Sequence, residues 1–536
     1  MNIRNEQTEQ KLRGGYYTPT DIADFLVRWV LKDRNDIRIL EPSAGNGVFI
    51  KSLLHHEFNG TASAVELLEE EASKIIRTIG EADNFSVFVE DFYDFYKRFN
   101  KNSSEKYDAV IGNPPYIRYQ YLTEGQRNYQ SDILDNNGIK PNKLINSWMA
   151  FTVASIELLK EGGKIAFVLP TDLLQVSYAK QLRQFLFENL SKLSVVTFQN
   201  LVFENIQQDV VLLMGEKKEN DESDIHFLRV LDVENRADLT DDLFDEPFDH
   251  YESYDSDKWT KFYLSREDRN FYETKFLEKT KGFNEFAKGE VGVTTGNNDF
   301  FAISNDTVQQ YSLTDYVRPL LGRSVEVKGL FYTENDLKSN TITGKKVWLL
   351  DFNGCELSKE AKNYINLGVK TGQNTGYKLR IRHRWYDVPS IWAPQAFLLR
   401  RIGEYPRIVI NQIEATSTDT FHRLKFYENI NISKFMFLFY SSVTLLSFEL
   451  EGRVFGGGAL EILPGDLKNI NLPQVDDNLD YDVLLSELDM RFRKDQTINE
   501  IVTWVDSMIS GHTLMQEEEL NRTYKMWKFL NTKRRG

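Results

Sequence analysis

Across the first 215 residues, short apolar runs alternate with segments whose apolar residues recur at helical spacing. Asp36–Leu40, Ala62–Glu66, Ser86–Glu90, Tyr107–Gly112 and Lys164–Leu169 read as buried strands. Asp21–Leu31, Val48–His56 and Trp148–Lys160 read as the helices between them. Strands alternating with helices predict a parallel sheet covered on both faces, a doubly wound α/β domain. Ser194–Phe198 and Asp209–Met214 fit added strands near one sheet edge. Past about residue 260 this rhythm stops. Ser265–Glu278 has helical spacing, and short strands separated by Gly, Asn and Pro turns follow, which predicts a mixed α+β second domain. Tyr481–Leu530 returns to helical spacing and ends in Lys533-Arg534-Arg535. The expected boundaries are 1–245, 260–475 and 476–536.

Composition narrows the class. The chain has 536 residues, 41% hydrophobic and 13% aromatic, enough for two or three domains with substantial cores. No stretch approaches the roughly 20 apolar residues of a membrane span, and the N-terminus lacks the apolar core of a signal peptide. The single cysteine, Cys355, excludes a disulfide framework and a thiolate metal cluster. The seven histidines are scattered, and the adjacent His55 and His56 make a poor chelating pair, so no metal site is expected. These features describe a soluble intracellular protein.

The net charge of −15 looks unfavourable for a nucleic-acid partner until it is located. Glu216 to Asp257 holds sixteen Asp/Glu against four Lys/Arg, a net of −12. That segment reads as an acidic connector, about 216–257, facing away from any substrate. From Lys378 to Arg407 the sign reverses, with seven Lys/Arg against Asp387 and Glu404.

The candidate chemistry lies at the predicted strand ends. Glu41-Pro42-Ser43-Ala44-Gly45-Asn46-Gly47 puts a glycine turn between a strand and a helix, where backbone approaches a ligand closely. It is only part of a dinucleotide fingerprint, and such glycines also serve purely steric ends. The next strand ends at Glu66, placed to accept from ribose hydroxyls, and the third at Glu90-Asp91, placed to read an adenine amino group. The fourth runs into Asn113-Pro114-Pro115-Tyr116. Two prolines fix the backbone and remove two donors, leaving the Asn113 side-chain oxygen and the Pro114 carbonyl as a rigid pair of acceptors beside the flat face of Tyr116.

Taken in order, these motifs resemble those of S-adenosylmethionine-dependent amino-methyltransferases. With Gly15-Tyr16-Tyr17-Thr18-Pro19 ahead of an amphipathic helix, the chain resembles the gamma-class N6-adenine DNA methyltransferases, specifically the TaqI/Eco57I-like restriction–modification group. The resemblance implies a Rossmann-like catalytic domain, a target-recognition domain and a C-terminal helical segment. It further implies that Thr18 holds the methionine carboxylate of the cofactor, with Glu41, Ala44 and Gly45 around the methionine part. Glu66 would bind the ribose, and Asp91 and Phe92 the adenine. Phe151 matches an aromatic lining the cofactor pocket, although a core phenylalanine reads equally well there. Asn113, Pro114 and Tyr116 would act on the target amine, and Phe203 matches the aromatic that stacks on a flipped base.

In the second domain Gly292–Phe300 resembles the opening of the group's specificity domain. Arg380-Ile381-Arg382-His383-Arg384-Trp385-Tyr386 resembles its basic aromatic segment, and Gly456–Pro464 its closing element. The arginine alternation predicts one strand face bearing Arg380, Arg382 and Arg384, with Trp385 beside it, meeting phosphates or guanine edges. Arginines on a surface strand pairing with the acidic run is the competing reading.

The expected function is transfer of a methyl group from S-adenosylmethionine to a flipped-out adenine in double-stranded DNA. The setting would be the protective half of a restriction–modification system, with a separately encoded endonuclease, in a cytoplasmic, monomeric prokaryotic enzyme. C5-cytosine chemistry needs a nucleophilic cysteine, and Cys355 lies outside the catalytic domain. N4-cytosine methylation uses a similar acceptor array, although Asn113 favours adenine. Two further alternatives are the methylase part of a fused restriction enzyme and a catalytically inactive DNA-binding protein. Fourteen residues precede Gly15, fewer than an N-terminal nuclease needs, and no P-D…(D/E)-x-K pattern accompanies them.

Overall fold

A computed structural model describes residues 17–99, 105–142, 145–199, 202, 209–219, 226–251, 258–455 and 457–535. The chain divides into two compact units, one built essentially of residues up to Arg266, the other of Glu267–Val454 and Gly458–Arg535.

The first unit begins at α1 (Thr20–Leu31), started by Pro19 and burying Ile22, Phe25, Leu26 and Trp29 on one stripe. Then follow β1 (Arg38–Glu41), α2 (Val48–His55), β2 (Thr61–Glu66), α3 (Glu69–Ile79), β3 (Phe85–Val89), α4 (Phe92–Phe99) and β4 (Tyr107–Gly112). The unit continues with α5 (Glu124–Asn136), α6 (Ser147–Glu157), β5 (Leu159–Pro170), α7 (Lys180–Asn189), β6 (Leu190–Phe198) and β7 (Val210–Lys217). Strands β8 (His226–Val233) and β9 (Asp249–Tyr251) complete it.

The nine strands form one sheet in the order β3-β2-β1-β4-β5-β7-β6-β8-β9. The β3 to β5 half is parallel throughout, and β7 enters antiparallel between β5 and β6. Two apolar cores cover the two faces. Ile165, Phe167 and Leu169 of β5 enter one, with Trp148 and Phe151, while Ala166 and Val168 enter the other, with Phe25 and Leu53. A strand with period-2 side chains buried on both sides must be apolar throughout, which is why Ile165–Leu169 of β5 reads as a continuous run. The fold is the doubly wound α/β class predicted from the sequence. Its strand order reverses at β1, which pairs β2 on one side and β4 on the other. In open α/β sheets ligands bind at the carboxyl ends of strands beside such a point.

The acidic run is not merely a connector. Its described residues 226–233 and 249–251 form β8 and β9 within the sheet. His226, Leu228, Arg229 and Val233 are buried, while Glu234, Asp238, Asp241, Asp242, Asp245 and Glu246 are exposed between the strands and Asp232 and Asp249 lie half-buried on them. Net charge hid the strands because a few inward side chains suffice to pair one. Arg229 is held there by Ser194 Oγ and the Phe244 and Glu246 carbonyls, not by a carboxylate.

The second unit contains a five-stranded sheet ordered Ala287–Val291, Phe421–Phe426, Ala396–Leu399, Ile408–Asn411 and Phe331–Tyr332. Its C-terminal part packs α8 (Ser442–Glu451), α9 (Tyr481–Arg493), α10 (Ile498–Ile509) and α11 (Glu517–Arg535). Within it the Asp506 carboxyl of α10 accepts from the Ser442 N–H at 3.1 Å, and burial pushes its pKa up to about 7. An unfolded aspartate titrates near pH 4. Between about pH 4 and 7 the unfolded chain has therefore released this proton while the folded chain still holds it. Stability falls as pH rises through that window and levels off above it. Asp506→Asn is expected to match the native chain near pH 4 and to exceed it at pH 8, by up to roughly 4 kcal/mol. Urea unfolding at the two pH values measures this, and an equal offset at both would refute it.

Among the described residues no helix is long and apolar enough to cross a membrane, and no group of three His, Cys, Asp or Glu is arranged to hold a metal ion.

Candidate active site

The site is assembled at the carboxyl edge of the first sheet, where β1, β2 and β4 end side by side. Register places Glu41 opposite Ala64, and Leu40 opposite Val110. The backbone leaves β1 through Gly45 and Gly47, both left-handed. At Gly47 a side chain is excluded twice, by φ of +72° and by Ile75 Cγ1, which would lie 2.9 Å from its Cβ. The turn therefore closes tightly, and α2 starts immediately behind it.

Two carboxyls flank this turn. Glu66 is fixed by two hydrogen bonds, Gly45 N–H donating to Oε2 and Leu68 N–H to Oε1, both at 2.8 Å, and the turn beside it is tied to β2 by Ala44 N–H donating to the Val65 carbonyl at 2.9 Å. Burial raises the Glu66 pKa, and the Leu68 and Gly45 N–H groups oppose the rise. Glu41 is 1% exposed, and its Oε2 has no hydrogen-bond partner among the described residues. Burial, and secondarily the charge of Glu66, holds its pKa well above the usual carboxylate range. A buried carboxyl of this kind gains most from an incoming cation that hydrogen-bonds it.

Beyond β4 the backbone of Asn113-Pro114-Pro115-Tyr116 is pinned from both sides. Ser43 Oγ donates to the Asn113 carbonyl at 3.1 Å, and Ser147 Oγ donates to the Pro115 carbonyl while accepting from Ile117 N–H. The Pro114 carbonyl between them has no donor among the described residues. Asn113 Nδ2 donates to Thr18 Oγ1 at 3.1 Å, which leaves the buried Oδ1 as the accepting atom of the amide. Tyr116 donates to the Val168 carbonyl at 3.1 Å, which fixes its ring.

The structure thus brings together Thr18, Glu41, Ala44, Gly45, Glu66, Asn113, Pro114 and Tyr116. Asp91, Phe92 and Phe151 form a second group at the end of β3. The Phe92 and Phe151 rings stack at 4.6 Å, and both are buried. Phe203 lies outside the described residues, as do Gly15, Tyr16 and Gly456.

Three contributors escaped sequence reasoning. Gln126 donates through Nε2 to Asp91 Oδ2 at 2.8 Å, while its Oε1 accepts from Thr123 N–H. The spacing Thr123-x-x-Gln126 signals a capping box, yet no spacing shows that the capping amide also reaches a carboxylate on β3's far end. Ser43 and Ser147 carry no signal beyond their positions.

In the second unit the predicted arginine strand is not a strand. Tyr377–Arg380 is one turn of helix, followed by turns through Tyr386. Alternating charge fits a strand only where ladder partners exist, and none pairs here. Arg382 instead donates to the Thr294 carbonyl at 2.9 Å, and Arg384 to Asp387 at 2.8 Å. Trp385 packs on Phe300 at 4.8 Å. Arg380 stays exposed.

A family model described as Eco57I restriction-modification methylase matches residues 48–203, and one described as Type II methyltransferase M.Eco57I, C-terminal domain, matches 256–510. The chain is 22% identical over 472 residues to Type II methyltransferase M.AccI of Acinetobacter calcoaceticus, covering 84% of each chain. It is 28% identical over 227 residues to M.HincII of Haemophilus influenzae, covering 42% of this chain and 40% of that one. A nuclease-deletion mutant of the Type ISP restriction-modification enzyme LlaGI, solved with a DNA substrate mimic, shares the fold. That match has a TM-score of 0.50 and 15% identity, over 89% of this chain and 54% of the other. With both parts of one methylase matched in order along the sequence, the chain belongs to the Eco57I-like family of restriction–modification methylases.

Proposed function

We propose that the chain is an S-adenosylmethionine-dependent DNA adenine-N6 methyltransferase, the protective enzyme of a restriction–modification system with a separately encoded endonuclease. The observation that carries this reading is the rigid pair of acceptors at Asn113 and Pro114, locked by Thr18, Ser43 and Ser147. Names of relatives such as M.AccI and M.HincII support the methylation class, and the acceptor pair supports an amine as target.

S-adenosylmethionine, when bound, supplies a sulfonium methyl group to an incoming nucleophile. The residues present fit it: the Glu41 carboxyl suits the ammonium, Thr18 Oγ1 suits the carboxylate, and Glu66 suits the ribose hydroxyls. Asp91 with Phe92 and Phe151 suits the adenine ring. Thr18 Oγ1 accepts from Asn113, so its own proton remains to be donated.

Asn113 Oδ1 and the Pro114 carbonyl accept the two N–H bonds of the target amine. Holding both draws the nitrogen lone pair out of the ring and aims it at the methyl carbon. Positioning and fixed dipoles then account for the acceleration, and no protein nucleophile is needed. The base must leave the duplex, at a few kcal/mol, and stacking on Tyr116 offsets part of that cost.

The test incubates unmethylated plasmid with labelled S-adenosylmethionine and maps the modified base. N6-methyladenine at one recurrent sequence is the expected product. N4-methylcytosine would replace the substrate base, and label only on protein or RNA would remove the proposal.

A further inference from the structure

The segment around Tyr377–Arg380 has its inner side fully committed and its outer side free. Leu379 is 1% exposed and sits against Gly296, whose backbone is left-handed at φ +81° and whose Cβ would lie 3.0 Å from Leu379 Cδ2. Gly296 is thus the seat of the Leu379 anchor. Asn297 ties the same loop to Gln373 through hydrogen bonds to its backbone carbonyl and, at 2.7 Å, to its side chain. Arg382 closes the other end onto Thr294, and Trp385 packs behind it on Phe300. Four separate ties therefore hold one short helical turn in place.

What this turn presents outward is unusual for the chain. Tyr377 and Ile381 are 71% and 67% exposed and lie four residues apart, hence on one face of the turn. Lys378, Arg380 and His383 are exposed beside them, with no ion pair recorded among the described residues. No carboxylate occurs from Tyr377 until Asp387, in a chain whose net charge is −15. Exposed apolar residues scattered singly mean little. An aromatic and a branched aliphatic paired on a preorganised turn and flanked by the cations Lys378 and Arg380 form a specific surface.

We propose that residues 377–383 are a preformed wedge that docks on duplex DNA. Lys378 and Arg380 meet phosphates, and Tyr377 and Ile381 press their apolar faces into the groove between them. Charge complementarity names the occupant: a polyanion with apolar base and sugar surface between its phosphate rows satisfies both halves of the wedge. This assigns the contact away from Arg382 and Trp385, which hold the turn, and from Arg384, which is paired with Asp387. Rigid presentation limits the ordering cost on binding. The inference rests on the proposal that DNA is the substrate.

The test uses the full chain, an unmethylated plasmid fragment that the native chain methylates, and a salt series. Lys378→Ala/Arg380→Ala is expected to lower the slope of log affinity against log salt by about 2, since each released phosphate contact contributes about 0.9. Tyr377→Ala/Ile381→Ala is expected to weaken binding at least about tenfold with the slope unchanged. Both pairs are solvent-facing, so S-adenosylmethionine affinity and thermal midpoint should stay at native values, which separates loss of contact from loss of fold. Native affinity and native slope in both variants, with the native chain methylating DNA, would overturn the wedge alone. A native chain that neither binds nor methylates DNA would overturn the substrate reading and the wedge with it.

Discussion

Asn113→Ala is expected to lower methyl transfer at least about a thousandfold while changing S-adenosylmethionine affinity by less than about threefold. The size follows from what the residue does under the proposed function. One preorganised polar contact to a reacting group is worth roughly two to three orders of magnitude in rate. Here the lost amide also frees the target amine to stay flat. The asymmetry between rate and cofactor binding follows from position: Glu41, Glu66 and the Gly45–Gly47 turn are set by β1 and β2, whereas Asn113 follows β4. Thr18→Val probes the same contact from its other end. It removes the acceptor of Asn113 Nδ2 and so releases the amide to rotate, and it is expected to lower both rate and cofactor affinity by smaller factors. Single-turnover transfer and calorimetric titration of the cofactor separate the two effects. Retained transfer in Asn113→Ala would sink the mechanism.

The second large effect is on stability and lies far from the chemistry in sequence. Arg534 of α11 makes a two-pronged pair with Glu449 of α8, Nε to Oε2 at 2.7 Å and Nη2 to Oε1 at 2.9 Å. Both side chains are almost wholly buried, at 2% and 3% exposure. Arg534 also donates to the Gly403 and Gly458 carbonyls, and Asn531 donates to Glu449 Oε1 at 2.8 Å. Glu449→Ala leaves a buried guanidinium without its counter-charge, and a loss of about 3–5 kcal/mol is expected. Replacing both, as Glu449→Leu with Arg534→Met, is expected to recover much of that loss, because the pair's own attraction is largely cancelled by its desolvation. Denaturant midpoints of the native chain and the two variants measure this. A single variant within about 1 kcal/mol of the native chain would show that water reaches the pair.

Several of these features were legible in the sequence, and for one reason. A strand buried on both faces must be apolar at every position, so β4 and β5 stand out, and a ligand-binding turn at a strand's end needs glycine at fixed offsets. The order Glu41 to Gly47, Glu66, Asp91 and Asn113 to Tyr116 therefore pointed to the sheet and to the candidate site at its edge together. What stayed hidden depends on long-range partners. The alternation of Arg380, Arg382 and Arg384 looks the same on a strand and on a helical turn, and only the position of Gly296 and Thr294 decides. The strands β8 and β9 were masked by the carboxylates around them. Glu449 and Arg534 are separated by 85 residues, and neither a buried charge nor its partner announces itself in a linear pattern.

The sheet order has a consequence for how the protein is made. Strand β6 leaves the ribosome before β7, yet β7 is its neighbour on one side and β8 on the other. Until β7 arrives to slot beside β5, the apolar run from Leu190 to Phe198 has no ladder to join. A chain in which β6 has formed before β7 is in place exposes an unpaired strand edge, the kind of surface on which chains aggregate or chaperones act. Yield on expression should be governed by how quickly that insertion is completed, independently of how stable the finished sheet becomes.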